Sequence, residues 1–384
     1  MRERIYLCLA HMGGQEQNFI KEAFDTNWVV PLGPNVNAFE QSLEEFLREG
    51  KNAENKNVVA LSAGTAAIHL ALLQLGVKAG DEVICQSFTF CASCNPITYL
   101  GATPVFIDSE EDTWNMDPQL LEEAIKDRIA KTGKTPKAII PVHLYGMPAK
   151  MDEICEIASR YGIPVLEDAA EALGSEYKGQ QCGTFGDFGA LSFNGNKMIT
   201  TSGGGALVCT GEEAKKQTMF YATQAREAAP YYQHEKIGYN YRMSNICAGI
   251  GRGQMLILDE HIAHHRHVHS LYKEAFKDVA GIELKCNPNE DYNSNYWLCT
   301  IIVNEEITGI DYESLRVKLD AAGIETRPLW KPMHLQPVFA DAPAYVNGVS
   351  EKLFNQGLCI PAGPCVSDDD VEYIVAEIKK CLKN

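Results

Sequence analysis

Positive charge is scarce in this 384-residue chain. Thirty-four Lys and Arg stand against 51 Asp and Glu, a formal net charge of −17. That balance argues against a nucleic-acid binder. An anionic small molecule would still be taken wherever a few cations converge. Long apolar runs are also missing. No stretch approaches the roughly 20 residues that cross a bilayer. The run Ile5 to Ala10 behind MRER is shorter than a signal-peptide core and lacks a cleavage site, so the expected location is the cytoplasm. Ordered cysteine spacing is the third absence. The thirteen cysteines are scattered and odd in number, as reduced thiols used as small core residues would be. Cys91 and Cys94 form one CxxC without a second pair or nearby histidines, so no metal site is expected there.

A local absence says more. Between Asp187 and Glu212 the only charged residue is Lys197, in SFNGNKMITTSGGG from Ser192 to Gly205. Aromatic and apolar residues, hydroxyls and glycines surround it. A lysine there is expected to be partly desolvated, which disfavours its ammonium form. A neutral amine is the nucleophile that condenses with an aldehyde. Taken alone, Lys197 reads better as a surface-loop lysine between two strands, with Gly203 to Gly205 as a turn.

Composition is ordinary for a globular protein, 45% hydrophobic and 22% charged, and the length suits two domains. Apolar spacing predicts a helix over Asn35 to Arg48. Val58 to Leu61 reads as a strand. Ser62-Ala63-Gly64-Thr65 then turns into an apolar helix, Ala66 to Leu75. Free N–H groups and the helix dipole make such a turn an anion site, although Thr65 could merely cap the helix. Further strands are expected over Glu82 to Cys85, GATPVFID, Ala138 to Val142 and Ile163 to Leu166, the last running into Glu167-Asp168. Strands alternating with helices imply a mainly parallel sheet covered on both faces. Ligands collect beyond the carboxyl ends of such strands. Gly64, Thr65, Phe88, Asp168 and Lys197 all fall at or just after strand ends. Lys197 as the amine, Asp168 as a carboxylate facing a ring nitrogen, Gly64 and Thr65 as a phosphate cradle and Phe88 as a stacking surface match the needs of pyridoxal phosphate. Asp168 alone would serve as well as a helix cap or an ion-pair partner.

With those residues in place, the chain resembles the DegT/DnrJ/EryC1/StrS nucleotide-sugar aminotransferases. The motifs run from SAGTAAIHLAL at Ser62 through GDEVICQSFTF, HLYG, EDAAEALGS and GTFGDFGALSFNGNK to GYNYRMSN at Gly238 and RPLWKPMH at Arg327. The SFNGNK, TQARE and ETRPLWKPMH segments are most similar to the UDP-N-acetylbacillosamine transaminase branch. The resemblance implies the α/β fold-type-I architecture. A large domain over residues 26–250 would hold a mainly parallel seven-stranded sheet. A smaller α+β domain would span 251–384, with an N-terminal segment, 1–25, packed against it.

The resemblance also implies the roles. Lys197 holds the cofactor and moves the proton. Asp168 pairs with the pyridine nitrogen and Phe88 stacks on the ring. Gly64, Thr65 and Ser192 contact the phosphate. Glu171 stands near the phenolic oxygen, where many relatives have Gln or His. Asn240 reaches the phosphate of the neighbouring subunit, which implies a homodimer with shared active sites. Arg242, Arg327 and His334 are candidates for the nucleotide diphosphate or the sugar. The implied reaction moves an amino group from an amino acid, glutamate by expectation, to C4 of a UDP-linked 4-keto-6-deoxy sugar. Rival readings are a C3 aminotransferase, a sugar dehydratase, against which Lys197 argues, and a non-catalytic cofactor-binding regulator.

Met255 to Phe276 reads as one long helix carrying His261, His264, His265, His267 and His269. The four-residue spacings could share a metal. No acidic residue lies within those pairs, so a solvated or partly buried helix face is expected instead, with no metal.

Overall fold

A computed structural model describes residues 2–383. Seven strands build the main sheet: β1 (Lys56–Leu61), β2 (Glu82–Gln86), β3 (Thr103–Ile107), β4 (Ile139–Ile140), β5 (Leu166–Asp168), β6 (Phe188–Ser192) and β7 (Gly205–Thr210). Ladders join β3, β2 and β4, and separately β5, β6, β7 and β1. Parallel bridges Ile139↔Val165 and Val142↔Asp168 close the gap between the two halves. The order is therefore β3-β2-β4-β5-β6-β7-β1, and β7 runs antiparallel to both neighbours. The mainly parallel sheet expected from sequence is present.

Burial on both faces explains the strand compositions. In β1 all six residues are buried. The helix Gly64–Gln74 buries every residue from Ala66 to Leu72, so it lies in the interior rather than along a surface.

Register brings the sequence candidates together. Leu61 at the end of β1 pairs with Gly205 at the start of β7. Gly205 also pairs with Ser192 at the end of β6. The Ser62 to Thr65 turn, Ser192 and the loop bearing Lys197 therefore leave the sheet from one rung. Asp168 ends β5 opposite Ala190, two residues before Ser192.

A second sheet is antiparallel, in the order Ile282–Leu284, Cys299–Val303, Gly357–Ile360, Arg327–Pro328. The helices Leu258–Phe276, Tyr312–Ala321 and Asp368–Cys381 share a core with it. The start of the chain joins it through the bridge Ile5↔Ile324 and the bond from Ala362 N–H to Leu7 O. The helix Glu16–Asp25 packs instead on the helix Asn245–Met255 of the large unit. The chain also returns to the main sheet late, where Ala344–Tyr345 pairs in parallel with β3.

The long C-terminal helix differs from expectation. Asn245–Met255 and Leu258–Phe276 are separate helices. Leu256 and Ile257 bond three residues back, to Gly253 O and Gln254 O, which closes the first helix tightly before the second begins. Among the described residues no helix is long and apolar enough to cross a membrane.

Candidate active site

A cavity of about 650 Å³ opens beyond the carboxyl ends of β1, β5 and β6. Gly64, Thr65, Asp168, Glu171, Ser192 and Lys197 all line it. With Arg327, seven of the positions named from sequence thus converge.

Its base is made of backbone. Ala63 caps the helix Gly64–Gln74 in an extended conformation without a side-chain bond. The first-turn N–H groups are left for a ligand. Gly205 is required beside them. A Cβ on Gly205 would lie 2.3 Å from Gly64 N and 2.4 Å from the Ala63 carbonyl carbon. The missing side chain lets the turn and β7 touch.

Two buried carboxylates face this base. Asp168 accepts from Ser93 Oγ at 2.6 Å and from Ala170 N–H at 3.1 Å. It is 5% exposed and its direction is fixed. Glu171 accepts the Tyr145 N–H at 2.6 Å and lies 3.3 Å from Lys197 Nζ. Burial pushes the Glu171 carboxyl up from its ordinary range, while the Lys197 ammonium and the Tyr145 N–H pull it back. Tyr145 has φ 54°, left-handed backbone that a tyrosine seldom adopts, and this aims its N–H at Glu171.

Lys197 is not the isolated amine its sequence neighbours suggest. Besides Glu171, the Trp297 ring stands 3.9 Å from Nζ. Both contacts hold the amine in place at the cavity wall. Trp297 is held by its Nε1–H, which donates to Asn196 O at 2.6 Å. Neither contact was visible locally, because Glu171 is 26 residues away and Trp297 is 100 away.

Four sequence candidates lie elsewhere. Phe88 is wholly buried beneath the cavity against Tyr145, at 6.4 Å between ring centroids. The other aromatic of SFTF, Phe90, is in the wall, 5.5 Å from the Trp330 ring. Ser87 to Thr89 bend away from the end of β2, which breaks the alternation that would keep residues two apart on one side, so one ring turns inward and the other faces the cavity. Arg242 is not a free cation, because its Nη1 donates to Glu40 at 2.6 Å and to Ala60 O at 2.8 Å within the core. His334 is outside the wall, with Nδ1 2.6 Å from Ser87 Oγ, and burial lowers its pKa. Its bond ties the RPLWKPMH segment to the end of β2. Asn240 is exposed and outside this cavity. Of the proposed substrate residues only Arg327 lines the wall.

Sequence reasoning missed Phe90, Trp297, Trp330, Glu325 and the N-terminal Leu7 and Cys8, all of which line the cavity. Phe90 and Trp330 lay inside the motifs SFTF and RPLWKPMH. Glu325 opened the segment ETRPLWKPMH, and Trp297, Leu7 and Cys8 had no local signal. Among the described residues no three His, Cys, Asp or Glu side chains converge as metal ligands would.

The parts suit a pyridine ring that carries an aldehyde and a phosphate. They offer an amine, a fixed carboxylate for a ring nitrogen, and a turn of free N–H groups kept open by Gly205.

Comparison with known proteins agrees. Residues 10–379 match the DegT/DnrJ/EryC1/StrS aminotransferase family. EpsN of Bacillus subtilis, a candidate pyridoxal phosphate-dependent aminotransferase, is 50% identical over 98% of this chain and 95% of its own. GDP-perosamine synthase of Escherichia coli O157:H7 is 37% identical over 96% and 95%. The solved pyridoxal-phosphate form of Spr1654 from Streptococcus pneumoniae, a candidate sugar aminotransferase, superposes with a TM-score of 0.88 at 26% identity, covering 99% of this chain and 100% of that one.

Proposed function

We propose a specific reaction on the premise that this chain belongs to the DegT/DnrJ/EryC1/StrS aminotransferase family and uses pyridoxal 5′-phosphate. It moves an amino group from glutamate to C4 of a UDP-linked 4-keto-6-deoxy sugar, for glycan or polysaccharide precursors. The observation that carries the reading is the convergence of Lys197, Glu171, Asp168 and the Gly64 turn on one cavity. Its volume, about 650 Å³, suits a small-molecule substrate.

The residues divide the work. Gly64, Thr65 and Ser192 hold the phosphate. Asp168, fixed by Ser93, presents its carboxylate to the ring nitrogen and keeps a proton there. Phe90, rather than Phe88, covers the ring. The bound cofactor supplies a protonated ring that draws electrons from the donor's α-carbon. Lys197 Nζ takes the proton from that carbon as general base and returns one as general acid. Glu171 holds the amine in reach between transfers. In the second half of the cycle the same groups act in the opposite direction on the sugar carbon. Trp297, Trp330 and Phe90 limit the access of water.

A homodimer fits the placement of Asn240, exposed in a stretch of chain in which Tyr231, Tyr232 and Ile237 are also exposed. We assign to it the phosphate of a second subunit. A cytoplasmic location fits the thirteen cysteines, all free thiols.

The test is an amination assay. The protein, glutamate and cofactor are incubated with UDP- and, separately, GDP-linked 4-keto-6-deoxy sugars, and products are identified by mass spectrometry and NMR. A 4-amino UDP-sugar is expected. Product from the GDP sugar alone would move the nucleotide and keep the reaction. A 3-amino product would favour the C3 rival. Conversion of glutamate without a sugar product would reject the sugar. Failure to convert glutamate would overturn the role of Lys197.

A further inference from the structure

Lys197 and Arg327 are the two basic side chains in the cavity wall, against three acids, Asp168, Glu171 and Glu325. Lys197 is committed to Glu171 and to proton transfer. An amino donor such as glutamate brings two carboxylates into the same cavity, so one cation has to serve them. We propose that Arg327 binds a carboxylate of the amino donor, and that Glu325 holds the Arg327 guanidinium while the uncharged sugar ring occupies the cavity. The inference rests on the two-substrate reading above.

The local geometry is built for an exchange of partners. Glu325 and Arg327 lie two residues apart on an extended segment, so their side chains leave from one side. Arg327 Nη2 donates to Glu325 Oε1 at 2.7 Å. Its Nε and Nη1 make no hydrogen bond among the described residues, and the side chain is 68% exposed. These donors remain for a carboxylate, and the full fork is presented once the guanidinium leaves Glu325. Glu325 does not depend on Arg327 for its place. Its Oε2 accepts the Leu7 N–H at 3.1 Å, and its own N–H donates to Ile5 O at 2.8 Å. Leu7 is in turn tied to Ala362. The guanidinium can therefore leave Glu325 without loosening the N-terminal strap, and Glu325 remains as a resting partner for it.

The two substrates load this position differently. The α-carboxylate of an amino donor is bonded to the reacting carbon and enters the cavity with it. The diphosphate of a 4-keto sugar nucleotide is attached at the anomeric carbon, across the ring from C4. A neutral ring beside an unpaired guanidinium would leave that charge without a partner as water is displaced. Pairing with Glu325 removes the penalty.

The experiment measures equilibrium binding to the holoenzyme by calorimetry. The probes are glutarate, which carries the donor's two carboxylates without its amine, and UDP. Hydrogen bonds to a charged partner imply that Arg327→Gln weakens glutarate by about ten- to hundredfold, with UDP unchanged. Arg327→Lys is expected to recover part of the loss. Glu325→Gln keeps an acceptor for Leu7 N–H and removes the competing charge, so glutarate should bind up to about fivefold tighter. Wild-type protein that binds no glutarate, or an Arg327→Gln variant that binds it normally, would overturn the proposal. So would loss of UDP alone, which would assign Arg327 to the diphosphate, or equal loss of both probes, which would mean damage to the cavity. These results are separate from the amination assay, which reads products and regiochemistry.

Discussion

Two buried clusters of titratable side chains in this protein come from equally suggestive sequence. One is Lys197 with Asp168 and Glu171 at the strand ends. The other is His261, His265 and His269, spaced four apart on the helix Leu258–Phe276. The first cluster opens on a cavity, and its members are oriented by one another and by Ser93 and Tyr145. The second faces backbone. His261 Nδ1 meets Met198 O at 3.2 Å, His265 Nδ1 meets Tyr296 O at 3.1 Å and His269 Nε2 meets Lys285 O at 2.8 Å. The partly buried face expected for the histidine helix is, at these three positions, fully interior. Spacing marks which side chains can meet. What stands opposite them decides whether they react.

The largest test of that contrast is Lys197→Ala. Removal of the group that transfers the proton should lower turnover by at least about 10⁴-fold, the upper end of general acid–base effects. Circular dichroism should remain that of the folded chain, because the lysine is at the cavity surface. Substantial residual transamination would erase the distinction between the clusters, since neither would then be chemical.

The second test sharpens the description of the cavity base. Gly205→Ala puts a methyl 2.3 Å from Gly64 N, against backbone that cannot rotate away. Overpacking of this kind costs about 1–3 kcal/mol. The variant should unfold at lower urea and bind pyridoxal phosphate more weakly, because the displaced atoms belong to the phosphate turn. Gly203→Ala is the control. Nothing lies within 4 Å of a Cβ there, so stability should stay within about 0.5 kcal/mol of wild type. Equal behaviour of the two variants would mean that the turn has room to move and the cradle is not rigid.

How much of this was legible in sequence depends on the distance over which each contact is made. Strand alternation, the small-residue turn after β1 and the carboxylate ending β5 are local patterns. They placed Gly64, Asp168 and Lys197 at strand ends, and a parallel sheet has one face where such ends meet. Phe88 and Phe90 show a finer limit. SFTF announces an aromatic, but which ring faces the ligand depends on how the chain bends after β2, which its letters do not contain. Arg242 shows the other limit. Its partner Glu40 is 202 residues away, so a core ion pair and a substrate cation look alike in sequence. The same holds for Glu325 and Leu7, 318 residues apart, and for Trp297 over Lys197.

The histidine cluster makes the smallest prediction, and it can break the comparison from the other side. Burial, with His261 and His264 as neighbours, lowers the His265 pKa from 6.5 to about 3, against a modest opposing bond to Tyr296 O. The folded chain therefore keeps this imidazole neutral where the unfolded chain protonates it. The stability it contributes is fully present above pH 6.5 and is lost as pH falls from 6.5 towards 3. One such group is worth about 2 kcal/mol between pH 7 and pH 5. His265→Asn keeps a donor for Tyr296 O and cannot titrate. Urea unfolding at pH 7, 6 and 5 should therefore give a shallower decline for the variant than for wild type, by about that amount. His269, lowered to about 4 by burial, adds a similar slope that His265→Asn leaves in place. Parallel curves for wild type and variant would mean that His265 takes up its proton in the folded state. An open, protonatable imidazole at this position would give the helix the same chemical potential as the lysine site, and the contrast drawn from their surroundings would fall.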